Sequence, residues 1–571
     1  MKKYTFGNPE IIKPSNFCKG FNYIEKEVCF DVSKIRFKTS PRGCVLEIPM
    51  QDDENIYGLG LQLKQMNFTG KHAKLKVNAD PVVATGDSHA PVPFFVSTAG
   101  YGIYFDTARY VEFDFGRKLQ AENDCKREDN THVKLSTAEL YTGLNTKGAY
   151  ITVHIPVAQG VDIYIIEGET ITDIVSQYNM LSGGGCNVPE WGLGLWYRCC
   201  GTYNQEQVLV TANYFKEKQI PCSVIGIEPG WQTHAYSCSF EWNKDKFPEP
   251  ETMLKSLYAN GYHVNLWEHA YTHPNSKIYQ VLEPYSANYL VWDGLVPDFS
   301  LDDSQQIFAK HHNNCVDFGF IDGYKLDECD SSDYTQGWCF PDYTAFPSGM
   351  DGEQYHCLFG VLYMQTIMQS LNGKETYSEV RNAGALSAAY PFVLYSDLYA
   401  HEDFIRGMVT SGFSGLLWTP EVRHADTKEE FLRRLQSTVF SVQCLINGWY
   451  CEELPWISFD CENELRYWIR VREQLKPLLM KAFDQYARTG IAPIRALVSD
   501  YTHDRETFYI DDEYIFCDEL IVAPIKVGEK GRKVYLPKGE WVNYFTGKAQ
   551  ACGWFEVETE SIPVYRKKMD Y

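Results

Sequence analysis

Up to about residue 185 the apolar and polar positions alternate with a period of two, the signature of half-buried strands. Val111-Glu112-Phe113-Asp114-Phe115 and Tyr150-Ile151-Thr152-Val153-His154-Ile155 each place their apolar side chains on one face. Turn residues at Pro41-Arg42-Gly43, Thr98-Ala99-Gly100 and Ala158-Gln159-Gly160 separate such runs, which predicts an antiparallel β-sandwich. From Pro189 the period changes. Short apolar runs at Leu193–Tyr197, Ser223–Ile227, His263–Trp267, Phe318–Leu326, Phe392–Tyr395 and Gly412–Trp418 predict strands. Helical patterns near Gln205–Lys218, Glu251–Asn260 and Asp351–Leu371 fall between them, and Thr427-Lys428-Glu429-Glu430 reads as a capping box opening a further helix.

Strand and helix in alternation predict a parallel sheet, and a closed (β/α)8 TIM barrel suits the length. Two helix-poor stretches, 228–250 and 271–312, read as insertions in loops after strands. A helix from Glu462 to about Arg488 precedes strands at Leu520–Ile525 and Arg532–Leu536. The expected class is therefore α/β, with an N-terminal β-sandwich over 1–188, the barrel over 189–485 and a small C-terminal β-sandwich domain over 486–571.

Charge narrows the partners. With 53 Lys+Arg against 75 Asp+Glu, the chain of 571 residues has a formal net charge of −22. Such a surface repels phosphate backbones and anionic lipid, so neither a nucleic acid nor a membrane is an expected partner. No apolar run approaches the ~20 residues of a membrane span. The opening Met1-Lys2-Lys3-Tyr4-Thr5-Phe6-Gly7 has no apolar core behind its basic start, so a cytoplasmic location is expected. The 18 cysteines include no C-x-x-C pair, and the adjacent Cys199-Cys200 suit neither a bridge nor zinc, which predicts reduced thiols and no metal. Aromatic residues make up 15% of the chain, and several sit in polar, loop-like company, as in Pro229-Gly230-Trp231-Gln232. Such rings suit the apolar faces of sugars.

Active groups in a barrel of this kind sit at the C-terminal ends of its strands. Acids follow three apolar runs: Ile225-Gly226-Ile227-Glu228, Tyr324-Lys325-Leu326-Asp327 and Leu394-Tyr395-Ser396-Asp397. Each could instead cap the next helix. Three facing one mouth supply the paired carboxylates that glycoside hydrolysis requires. His401-Glu402-Asp403 lacks the second His of a helical zinc motif, and there is no G-x-S-x-G elbow, P-loop or G-x-G-x-x-G after a strand.

Further stretches carry a resemblance over almost the whole chain. They include Ile56-Tyr57-Gly58-Leu59-Gly60, Pro91-Val92-Pro93-Phe94-Phe95, Pro189-Glu190-Trp191-Gly192-Leu193-Gly194, Phe240-Glu241-Trp242, Phe247-Pro248-Glu249-Pro250, Asp518-Glu519-Leu520-Ile521-Val522-Ala523-Pro524 and Tyr535-Leu536-Pro537. Together they resemble glycoside hydrolase family 31, the retaining α-glucosidases, α-xylosidases and α-galactosidases. The chain stops soon after Ile562-Pro563-Val564, so a further C-terminal domain present in many relatives is expected to be missing.

By that resemblance Asp327 stands where the family has its nucleophile and Asp397 where it has its acid/base. Lys325 matches the Phe-Lys-Thr-Asp of the α-xylosidase branch, and Arg381 falls at the spacing of a sugar-binding Arg, with Ala385, Ser387 and Tyr390 in step. The alternative for Lys325 is a barrel-lining salt bridge, and for Arg381 a partner to a loop carboxylate. Glu228, Glu421, Trp196, Trp267 and Trp418 complete the substrate-binding candidates. Ionised Asp327 attacks the anomeric carbon, while Asp397 must begin protonated to donate to the leaving oxygen.

Three departures bear on the substrate. Glu228 replaces the Asp that holds the 4-hydroxyl in α-glucosidases. Pro420-Glu421-Val422-Arg423 replaces Asp-Ile-Gly-Gly, and Ile446-Asn447-Gly448-Trp449 stands where a sugar-binding His is usual. These substitutions predict a preference for the axial 4-hydroxyl of α-galactosides, with α-glucosidase or α-xylosidase activity as the alternative. An alternative from another class is a carbohydrate-binding pseudoenzyme, although both Asp327 and Asp397 are present. The expected partner is a small carbohydrate, with no cofactor; transglycosylation, N-acetylgalactosamine as the sugar and homo-oligomerisation stay open.

Overall fold

The computed structural model describes residues 1–79, 81–117, 149–332 and 337–568. The parts of the expected outer domains at 118–148 and 569–571 lie outside these. Two five-stranded antiparallel sheets form the N-terminal sandwich. One runs Lys2–Asn8, Gln159–Glu167, Tyr101–Asp106, Pro91–Ser97, Ile56–Gly60 in spatial order. The other runs Arg36–Ser40, Gly43–Met50, Ala149–Ile155, Val111–Arg117, His72–Leu75. The period-two positions meet between them, where Phe95 packs edge-on against Phe113 and Phe115.

The barrel strands are short and buried on both faces, as parallel strands covered by helices must be. Seven pair in parallel, in the order Phe392–Leu394, Ser378–Val380, Gly323–Asp327, His263–His269, Val224–Ile227, Leu195–Arg198, Cys444–Asn447. The ring closes through a segment that pairs Leu394 with Trp418 on one side and Val422 with Ile446 on the other. Gly412–Trp418, expected as a strand, is instead a 3-10 turn over Gly412–Ser414 followed by this single pairing. Ser378–Val380 was not anticipated, because three residues carry no readable period.

Helix Gln205–Glu217 begins at Asn204, whose side chain accepts from Gln207 N while Gln207 answers to Asn204 N. It buries Val208, Thr211, Ala212 and Phe215, a single helical stripe. Thr427 likewise accepts from Glu430 N, but the Glu430 carboxylate takes Asp426 N, so the expected box closes one residue early. The stretch 271–312, expected to be helix-poor, contains a hairpin of Ser286–Val291 with Gly294–Pro297 and a helix over Asp302–His311. Beyond helix Glu462–Thr489 lie a six-stranded sheet and a two-stranded one. Among the described residues there is no disulfide, and no helix is long and apolar enough to cross a membrane.

Candidate active site

None of the three strand-end acids caps a helix. The turn after Glu228 receives no side-chain cap, and the helix after Asp397 starts behind Ala400. Their carboxylates enter the barrel mouth instead, at two depths.

The deeper layer is a buried ion network. Arg198, at the end of the first barrel strand, pairs through Nε with Glu228 and through Nη1 with Glu379 at 2.6 Å and Asn265 at 2.7 Å. Lys325 Nζ lies 3.6 Å from Glu228 Oε2 and 4.8 Å from the centre of the Tyr395 ring. Gly226 makes room for this arrangement, since a Cβ there would stand 2.7 Å from Arg198 Cγ. Burial disfavours the Glu228 charge, but Arg198 and Lys325 overcome it and hold its carboxyl below the usual range. Glu379 goes the other way, pushed up by burial against the opposing pull of Arg198.

The upper layer is organised by Arg381. Its Nε donates to Asp330 at 2.9 Å and lies 3.8 Å from Asp327 Oδ1, while its Nη1 lies 2.9 Å from Asp397 Oδ2. Trp267 Nε1 donates to Asp327 Oδ2 at 2.7 Å and fixes that carboxylate's orientation. Arg423 reaches Asp397 Oδ1 at 3.4 Å and the Asp397 carbonyl at 3.1 Å, and pairs with Glu421 on its other side. Asn447 Nδ2 donates to Glu421 at 3.1 Å. The N-terminal sandwich contributes His89, whose ring nitrogens lie 2.7 Å from Asp330 Oδ2 and 2.8 Å from Ser396 Oγ.

These contacts set the charges of the cleft. Burial raises Asp327, partly offset by Arg381 and Lys325 and reinforced by the Asp397 charge. Burial also opposes ionisation of Asp397, yet Arg381 and then Arg423 overcome it and hold this carboxyl well below the ordinary range. That departs from the protonated Asp397 expected at the start of a reaction. Its side chain is 48% exposed, however, so solvent screens the pairs and an arriving ligand can displace them.

Of the residues named from the sequence, Glu228, Lys325, Asp327, Arg381, Asp397, Glu421 and Trp267 converge on this mouth. Glu421 reaches it through Arg423 and is itself buried. Trp196 and Trp418 are not part of it. Trp196 donates to the Gly192 carbonyl and packs edge-on against Tyr377, on the side where the strands begin. Trp418 donates to the Phe404 carbonyl behind the sheet, its ring seated against Gly407. Both are core residues, because an indole on a buried strand has its N–H satisfied locally. Arg198, Glu379, Asp330 and His89 were missed. Asp330, three residues beyond Asp327, offers a local signal; His89 offers none, being 241 residues from Asp330 in the chain.

Fold and site together define a barrel protein with two carboxylates joined across one cleft by a shared guanidinium. The chain belongs to glycoside hydrolase family 31: its TIM-barrel domain matches residues 186–482, its C-terminal domain 490–569 and its N-terminal galactose mutarotase-like domain 25–114. An α-xylosidase from Emericella nidulans is 23% identical over 556 residues, covering 91% of this chain and 66% of its own length. Alpha-glucosidase 2 from Bacillus thermoamyloliquefaciens is 23% identical, covering 91% and 67%. The chain thus spans about two thirds of the length of the curated relatives it matches. In fold it is similar to the dextranase of Flavobacterium johnsoniae solved with glucose, with a TM-score of 0.78 and 21% identity over 93% of this chain and 67% of that one.

Proposed function

We propose that the protein is a retaining, exo-acting α-glycosidase that removes terminal α-linked xylosyl or glucosyl residues from small carbohydrates. Asp327 is the nucleophile and Asp397 the acid/base. The observation that carries this reading is Arg381, which holds both carboxylates to one side of the mouth. A retaining pair needs carboxyl groups ~5–5.5 Å apart, close enough for direct attack on the anomeric carbon. Trp267 and Arg381 keep Asp327 aimed, and an incoming leaving-group oxygen displaces the guanidiniums from Asp397 and takes its proton from that carboxyl when it is protonated.

The α-galactoside preference is not retained. It required Glu228 to read a 4-hydroxyl with a free carboxylate, whereas Glu228 is bound to Arg198 and Lys325. The names of the relatives, α-xylosidase and α-glucosidase, support the alternative. Lys325 supports the xylosyl reading by its match to the α-xylosidase branch.

Initial rates on the 4-nitrophenyl α-xyloside, α-glucoside and α-galactoside test the proposal. The xyloside or glucoside should be cleaved fastest. Azide should rescue Asp327→Gly and yield a β-glycosyl azide, since a small anion replaces the carboxylate from its own face. Absence of turnover on all three glycosides overturns the proposal.

A further inference from the structure

Glu328 follows Asp327 directly and is held in a left-handed conformation, with φ 56°. A non-glycine residue meets a steric penalty in that region, so its neighbours must enforce it. Two contacts do so. Glu328 N donates to Asp327 Oδ1 at 3.0 Å, and Tyr271 OH donates to the Glu328 carbonyl at 3.0 Å. The backbone is thereby fixed from both sides while the side chain is left over. Among the described residues, no group hydrogen-bonds to the Glu328 carboxyl or pairs with it. Every other carboxylate of the mouth is held: Glu228 and Glu379 by Arg198, Asp330 and Asp397 by Arg381, Glu421 by Arg423 and Asp327 by Trp267.

A half-buried carboxyl beside the reacting group, with no protein partner among the described residues, is left open to a ligand. Its surroundings indicate which part of the ligand. The floor is closed by the Arg198 network, whereas Tyr236, a ring 54% exposed that packs against Trp267 and Trp292, feels the charges of both Asp327 and Glu328. An exposed ring joined to Asp327 through Trp267 marks the solvent side of that carboxyl, and a leaving group must depart toward solvent.

We propose that Glu328 is a substrate-contacting specificity residue that hydrogen-bonds a hydroxyl of the leaving-group sugar, selecting glycosides whose aglycone is itself a carbohydrate. Burial, then the charges of Asp327 and Asp330, push its carboxyl well up despite Arg381, so it can donate as well as accept. The proposal rests on the site reading above and adds the residue that reads the leaving-group sugar.

The test uses Glu328→Met, which keeps bulk and removes the carboxyl, and Glu328→Asp, which withdraws it by one methylene. In an Asp327→Asn background, calorimetry compares the affinity for isomaltose with that for glucose, and for the xylosyl disaccharide with xylose. Both variants should lower the disaccharide-to-monosaccharide affinity ratio about tenfold, the size of one hydrogen bond. With Asp327 intact, kcat/KM for the disaccharide should fall about tenfold more than for the 4-nitrophenyl glycoside of the same sugar. An unchanged affinity ratio in a folded Glu328→Met or Glu328→Asp protein overturns the proposal, as does failure of any of these sugars to bind. The affinity ratio is read without turnover, so an inactive parent that still binds disaccharides discounts the catalytic reading and leaves the role of Glu328 decided.

Discussion

Arg198 at the floor of the barrel mouth holds two carboxylates and Arg381 at its rim three, yet in opposite surroundings. Arg198, Glu228 and Glu379 are all sealed from solvent. Arg381 is equally buried, but its partner Asp397 is half exposed. At the floor the charges satisfy one another, and losing one strands the rest in a low-dielectric interior. At the rim the pairing is provisional, because water or a sugar hydroxyl can take the place of either partner. The floor therefore serves chiefly stability and shape, and in the proposed function the rim serves turnover. Substitutions should separate the two layers by which quantity they change.

The largest effect belongs to the rim. Asp327→Ala should lower kcat by a thousandfold or more, about 4 kcal/mol of barrier, with Tm unchanged or raised because a buried carboxyl is removed. A Tm drop matching the activity loss would erase the contrast between the layers. Arg198→Met should do the reverse, costing about 3–5 kcal/mol of stability by leaving Glu228 and Glu379 unpaired, as measured by urea denaturation. Glu228→Gln and Glu379→Gln added to Arg198→Met should recover much of that loss.

Asp397→Ala should cost less than about 1 kcal/mol of stability, since its partners keep Asp330 and Glu421. It should slow substrates with poor leaving groups by ~100-fold or more and spare activated aryl glycosides, because only the former need protonation. Equal loss on both would move the acid role elsewhere. The two tryptophans give a sharper pair. Trp267→Phe removes a hydrogen bond to a carboxylate and should lower kcat/KM by ~1.5–3 kcal/mol equivalent. Trp196→Phe should leave kcat/KM alone and lower Tm only.

The smallest effect is a pH dependence. Glu228 titrates near the ordinary ~4.3 when unfolded and lower when folded, so the unfolded chain binds the extra proton as pH falls. Its contribution is present above about pH 5 and is lost progressively in more acid solution. Glu228→Gln should flatten that part of the acid limb of stability. An unaltered limb would show that Arg198 and Lys325 do not stabilise the charge.

Local pattern along the chain was enough for the layers and their order. Period-two alternation is a local property of strands, and a helical stripe such as Val208 to Phe215 is visible within one turn or two. It also placed acids at strand ends, because a short buried apolar run must stop where the first carboxylate can meet solvent or a partner. Three kinds of fact waited for the tertiary structure. The closing barrel segment and Ser378–Val380 are too short to show a period. Which indoles line the mouth depended on strand register: Trp267 and Trp196 look alike in sequence, yet one donates to Asp327 and the other to the Gly192 carbonyl. Finally, charge pairing is settled by distances across the barrel. Arg198 reaches Glu228 and Glu379 over separations of 30 and 181 residues, and His89 reaches Asp330 over 241. Coulomb energy depends on those distances and on the burial around them, and neither is encoded in the spacing of residues along the chain.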